Sequence, residues 1–301
     1  MATDRRYSSA YDRLQSQGTV SMFGNTPVSK LPEYYKAENQ QKTPISTSLY
    51  EAAKEGNLVK IQECLSEGGN PNWFNHDDEG ATALFAACIG GHLEAARALV
   101  AGGAAVEPRL LTSKDTVLHM CCAHNRLEIL QFLVEGPAAD MVDAENTFGN
   151  TPLHVACMGS NPDMVRFLLQ HGASSRRANK RGSSALHFAA YSPGGAAALA
   201  ALVGAVLDAG AAVDHADRDG QTALHVAAYK GHLPLCRLLV GRGAPRAARD
   251  GRGKCPRDFA EVKGNLELID LLDPSVEDAL AEGKGNDDED QFDEKKGNDE
   301  K

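Results

Sequence analysis

The chain has 301 residues, 42% of them hydrophobic, and a formal net charge of −10. No run approaches the roughly 18–20 apolar residues that span a bilayer, so no membrane insertion is expected. Residues 273–301 hold twelve carboxylates against four lysines, and so acidic a segment argues against nucleic acid, whose binding rests on neutralising phosphates.

Residues 1–45 come first in the chain. Met1-Ala2-Thr3-Asp4-Arg5-Arg6-Tyr7 has no apolar run after its charges and does not read as a secretory signal. Few aliphatics and no sustained period predict a disordered or extended arm. It carries Tyr7, Tyr11, Phe23, Tyr34 and Tyr35, so it is either a linker or an arm that drapes over a partner.

From residue 46 the chain repeats. The clearest copy is Gly220-Gln221-Thr222-Ala223-Leu224-His225-Val226-Ala227-Ala228, and Asn150–Ala156 and Gly182–Ala190 follow the same pattern. Aligned on Leu224, the anchors are Leu49, Leu84, Leu118, Leu153 and Leu186, with Arg257 in the seventh position; the spacings are 35, 34, 35, 33, 38 and 33. Thr82, Thr116, Thr151 and Thr222 precede the helical runs as N-caps. In the first copy Ser48-Leu49-Tyr50-Glu51 reads as a capping box. Alanines then allow close packing, and Gly56, Gly91, Asn125, Gly231 and Gly264 end the first helix in left-handed caps. A second helix follows, with apolar residues at helical spacing such as Met164, Val165, Leu168 and Leu169. It closes at Gly-Gly or Gly-Ala, before a short polar segment. Residues 273–301 close the chain as an acidic low-complexity tail.

A period of this length carrying these residues signals a solenoid. The chain resembles the ankyrin-repeat family over residues 46–272, with about seven units and the first and last as caps. The resemblance implies an all-α repeat solenoid, a stack of helix-turn-helix units with projecting β-hairpin fingers. It also implies that the aligned His119, His154, His187 and His225 hydrogen-bond between units, and that the concave face of finger tips and first helices is the binding face.

The run His119-Met120-Cys121-Cys122-Ala123-His124 has the ligand types of a zinc site. Each of its first four residues also occupies a repeat position, so no metal is expected. There is no phosphate loop and no nucleophile–base pairing apart from the repeat, so neither catalysis nor a cofactor is expected. Seven cysteines, with Cys88, Cys122 and Cys157 in alanine positions, read as buried thiols of a cytoplasmic protein.

Three departures from the repeat are candidate contacts. The finger with Trp73, Phe74 and His76 holds the only tryptophan, which is either an interface anchor or packed on the next finger. The last three fingers are basic, with Arg176, Arg177, Lys180 and Arg181, then Arg218, then Arg246, Arg249, Arg252 and Lys254. They are either solvated, or they hold an acidic protein or the chain's own acidic tail. The fifth unit has five extra residues within Tyr191–Ala197, either a second contact or a tolerated insertion. The expected function is a non-catalytic scaffold or adaptor for one or more proteins, and the arm suits a cytoskeletal or ciliary assembly. The alternative is a regulator that masks an enzyme or transcription factor.

Overall fold

The structure, a computed structural model, describes residues 42–275. The expected arm up to residue 41 and the tail from residue 276 lie outside the described residues. Between them, fourteen α-helices form seven pairs: α1 Pro44–Glu55 and α2 Leu58–Ser66; α3 Ala83–Gly90 and α4 Leu93–Ala101; α5 Val117–Ala123 and α6 Leu127–Val134; α7 Pro152–Met158 and α8 Pro162–Gln170; α9 Ala185–Tyr191 and α10 Ala196–Asp208; α11 Ala223–Lys230 and α12 Leu233–Gly241; α13 Pro256–Lys263 and α14 Leu266–Leu271. First helices pack on first helices of neighbouring units, and second helices on second helices. One core runs through the stack, with Leu84, Leu118, Leu153 and Leu224 fully buried. No unit closes a core alone, and stacking supplies the missing wall.

Each first helix starts where its cap dictates. Thr116, Thr151, Ser184 and Thr222 are N-caps, with a histidine three positions on. The histidine Nδ1 accepts the N-cap backbone N–H at 3.1–3.2 Å. An accepting Nδ1 leaves the ring proton on Nε2. His119 donates that proton to the Asn150 carbonyl at 2.9 Å, His187 to Gln221 at 2.8 Å and His225 to Lys254 at 3.1 Å. One side chain thus caps its own helix and joins the next unit. His154 caps Thr151 in the same way, and its Nε2 faces the Ser183 backbone of the next unit.

The end units alter this scheme. In the seventh, Asp258 accepts the Cys255 N–H at 2.7 Å. No eighth unit follows within the described residues to receive a donated proton, so a carboxylate suffices there. In the second unit Phe85 takes the histidine position, and the buried Thr82 hydroxyl has no partner. In the first, the expected capping box at Ser48 is corrected. The helix begins a turn earlier, with Thr43 as N-cap accepting from Ser46 and Pro44 at the first position. Proline there presets the helical φ and lacks only an N–H that has no intrahelical use.

The fingers are shorter on strand pairing than expected. They are turns, three of them closed by one isolated antiparallel bridge: Asn75–Ala81, Ala178–Ser184 and Ala216–Thr222. Side chains hold the turns instead. Asn146, Asn179, Asp217 and Asp250 each accept two backbone N–H groups from the two and four residues that follow. This is the Asx turn, a side-chain substitute for a ladder. Successive tips are joined by single backbone bonds, such as Arg218 N–H to Arg181 carbonyl at 3.0 Å and Gly251 N–H to Asp219 carbonyl at 2.7 Å. In the fifth unit the extra residues go largely into α10, which has 13 residues against nine in α12. The loop before it is anchored by the fully buried Ser192, whose hydroxyl donates to the Met158 carbonyl at 3.0 Å.

Candidate protein-binding face

Positions two and five past each anchor leucine lie three residues apart on a first helix and share a face. In the first three units they are Glu51 and Lys54, Ala86 and Ile89, Met120 and Ala123. In the last four they become Val155 and Met158, Phe188 and Tyr191, Val226 and Tyr229, Phe259 and Val262. Met158, Phe188, Tyr191 and Val226 line one shallow hollow with finger residues Ser183 and Asp217. The stripe therefore faces the finger side. Tyr229 is 44% exposed and meets Phe259 edge-on at 6.3 Å. Phe188 meets His154 edge-on at 5.1 Å, and Phe259 meets His225 at 5.9 Å.

Two lysines lie across this stripe. The Lys230 ammonium sits 3.7 Å from the centre of the Tyr191 ring, and Lys263 sits 4.9 Å from that of Tyr229. In each pair the cation comes from the unit after its ring's. Exposed contacts of this kind stabilise by about 0.5–1 kcal/mol. They set an aromatic floor beside positive charge, a surface suited to partners that are both apolar and acidic.

The basic fingers are less positive than their sequence suggests. Arg177 bonds to Asp143 at 3.2 Å and Glu145 at 2.8 Å, and Arg181 lies 3.7 Å from Asp219. Lys180 donates to the Thr147 carbonyl at 2.8 Å and Arg249 to Gly253 at 2.8 Å. Arg218, Arg252 and Lys254 are exposed. These residues share one edge of the stack because the fingers are joined tip to tip, and that edge borders the stripe.

Trp73 and Phe74, read either as an interface anchor or as packed within the stack, are buried. Trp73 is 4% exposed and packs edge-on against Tyr50 at 6.3 Å, and Phe74 is fully buried. The physical reason is that Tyr50 also reaches Asp78 with its hydroxyl, which folds this finger down on the first unit. His76 is exposed in the 3-10 turn His76–Asp78, on the same finger but far along the chain from the aromatic stripe. The groups of the cysteine–histidine run are likewise structural. His119 is engaged at both nitrogens. Cys121 is buried, its thiol held up by the Cys88 contact and by desolvation, and burial raises that of Cys122. Among the described residues no three potential ligands gather for a metal, and no helix is long and apolar enough to cross a membrane.

The stripe itself is a feature that reading the fingers alone misses. Its signal was the growth of side chains at two aligned positions from the fourth unit on.

Comparison with known proteins agrees with this architecture. The family described as "Ankyrin repeats (3 copies)" matches residues 49–143 and 118–208, and "Ankyrin repeats (many copies)" matches residues 206–260. The human "Transient receptor potential cation channel subfamily A member 1" is 29% identical over 145 residues, 48% of this chain and 13% of that protein. The mouse "B-cell lymphoma 3 protein homolog" is 32% identical over 175 residues, 56% of this chain and 38% of that protein. The chain thus spans well under two thirds of these relatives. Among solved structures, the ankyrin repeat domain of Bcl-3, "a unique member of the IkappaB protein family", superposes with a TM-score of 0.60 at 29% identity, covering 75% of this chain and 97% of that one. The human ASB11 ankyrin repeat domain gives 0.64 at 26% identity, covering 77% and 96%. The stacked helix pairs, the capping histidines and these matches agree that the chain belongs to the ankyrin-repeat family.

Proposed function

We propose that this chain is a non-catalytic scaffold or adaptor that holds a partner protein along the finger-side face of its fourth to seventh units. The observation that carries the reading is the exposed Tyr229, set in a line of apolar side chains that the stack itself does not need to cover. Tyrosine is among the side chains enriched at interface hot spots. Cytoplasmic residence belongs to the same reading and is supported by seven free cysteines, six of them buried. A regulator that masks another protein is the second reading, favoured by the likeness to the ankyrin repeat domain of Bcl-3, a member of the IkappaB protein family. A cytoskeletal or ciliary setting rests on the aromatics of residues 1–45 alone.

The test is quantitative affinity purification of the full chain and its Tyr229→Ala variant, followed by exchange into isotopically labelled lysate. A scaffold retains its partners through the exchange and a regulator trades them, while both lose them on substitution. Equal recovery by the two proteins would place binding elsewhere.

A further inference from the structure

The chain carries a segment whose chemistry matches the stripe. Residues 287–294 read Asp-Asp-Glu-Asp-Gln-Phe-Asp-Glu: six carboxylates around a single aromatic, Phe292. The stripe offers the converse, an aromatic and aliphatic floor of Tyr191, Val226, Tyr229 and Phe259 with Lys230 and Lys263 laid over it. Arg218, Arg252 and Lys254 stand exposed on the finger tips alongside.

The end of the stack directs the chain to this place. Arg246, in the seventh finger, donates to the Leu271 carbonyl at 3.1 Å, and Arg257, at the start of α13, pairs with Asp273 at 3.0 Å. The Ser275 hydroxyl closes on Asp273 at 2.7 Å. These three contacts fix the exit of α14 beside the seventh finger, the edge that carries the cations. Phe292 lies seventeen positions beyond Ser275, a span of at most roughly 55–60 Å when extended. Helix pairs stack about 8–10 Å apart, so the fifth unit lies within that reach.

We propose that residues 287–294 dock in cis on the finger-side face of the fifth to seventh units, with Phe292 on the tyrosine–phenylalanine floor and the carboxylates against Lys230, Lys263 and the finger-tip cations. This rests on the reading of that face as the binding face and names its resident occupant. Tethering gives the segment an effective concentration in the range of about 1 mM. A partner must displace it, so the segment sets a threshold that only ligands with more apolar contact, or more negative charge, cross.

Zero-length carbodiimide coupling of the full chain, read by peptide mass spectrometry, tests this. The expected products join Lys230, Lys254 or Lys263 to a carboxylate in residues 287–294, with yields that do not change on dilution. Phe292→Ala should reduce them roughly tenfold, the loss expected for an aromatic anchor. Raising salt from about 20 mM to about 500 mM should also reduce them, since the Debye length falls several-fold. Coupling spread equally to Lys42 and Lys60, yields indifferent to Phe292→Ala, or yields that rise with protein concentration would each overturn docking in cis. A second arm separates this from the face itself. A synthetic peptide of residues 285–296 is titrated into the full chain carrying Asp287→Asn, Asp288→Asn, Glu289→Gln and Asp290→Asn. Peptide binding there without coupling in the parent chain overturns the cis contact and leaves the binding face standing. Coupling in the parent together with peptide binding that Tyr229→Ala abolishes supports both.

Discussion

A histidine that caps its own helix through Nδ1 and joins the next unit through Nε2 stays neutral to do both, because protonated Nδ1 no longer accepts. Burial lowers the pKa of His119, His187 and His225, and takes that of His154 down to about 4. The unfolded chain holds its histidines near pKa 6.5, so it takes up protons first as the pH falls. The stability these residues confer is complete above about pH 6.5 and is lost as the pH drops towards the folded values. For His154 the full loss is on the order of 3 kcal/mol. Thermal melts should therefore show a midpoint that falls steeply between about pH 6.5 and 4. The Asp258 carboxylate, held low by the Cys255 N–H, is lost only below that window. The His154→Gln variant should lose less than the parent across it, and equal losses would refute the assignment. At neutral pH the inter-unit bond is open to a direct test: His187→Ala removes the bond to Gln221 and should cost about 1 kcal/mol or more in urea unfolding, and an unchanged midpoint would mean that the bond contributes nothing.

At the level of helices and turns, left-handed glycines fall into two kinds. Gly231 ends α11 with φ +78°, and a Cβ there would meet nothing within 4 Å. Gly220 in the sixth finger has φ +76°, but its Cβ would lie 2.8 Å from the Gly251 nitrogen. That nitrogen is the donor that joins the sixth and seventh tips. Alanine at Gly231 bears only the left-handed conformational cost of about 1 kcal/mol. Alanine at Gly220 also forces the two tips apart, so its cost should exceed that of Gly231→Ala by at least about 1 kcal/mol. Urea midpoints of the two variants decide the matter, and equal midpoints would mean that the tips yield freely. Locally determined features of this type were legible from residues alone: Gly56, Gly91, Gly231 and Gly264 are all left-handed caps. Features that depend on what packs opposite were not. Trp73 looks like an anchor until Tyr50 is placed beside it, and Ser48 looks like a cap until Thr43-Pro44 starts the helix sooner. The extra residues of the fifth unit look like a loop, but most of them prolong α10. His215, outside the aligned histidine position, reaches back to the Gly182 carbonyl at 2.8 Å, a bond the repeat pattern does not announce.

Across the whole stack each unit touches only its neighbours, so stability is a sum of unit terms and interface terms. Such a molecule need not unfold as one. The join between the fourth and fifth units is the place to look, since the fifth unit breaks the repeat with a second helix of 13 residues. The two halves also differ in surface, with both stripe positions large and apolar only from the fourth unit onward. The last unit leaves Val262 80% and Leu266 74% exposed, and the core under it is thin. Leu153 is fully buried in the fourth unit, and Leu268 in the seventh. Truncating either to alanine removes similar side-chain volume, at about 2–5 kcal/mol for a well-packed site. The consequences should separate by position. Leu268→Ala lets the last pair fray, and native-state hydrogen exchange should accelerate over α13 and α14 alone. Leu153→Ala weakens at once the two interfaces that flank the fourth unit. Exchange should then accelerate through α5 to α10 while α1 and α13 keep their parent rates, and urea unfolding should broaden into two steps. Were both variants to raise exchange evenly along the whole stack, the units would be coupled far beyond nearest neighbours, and the partition of the molecule at its fourth unit would fail.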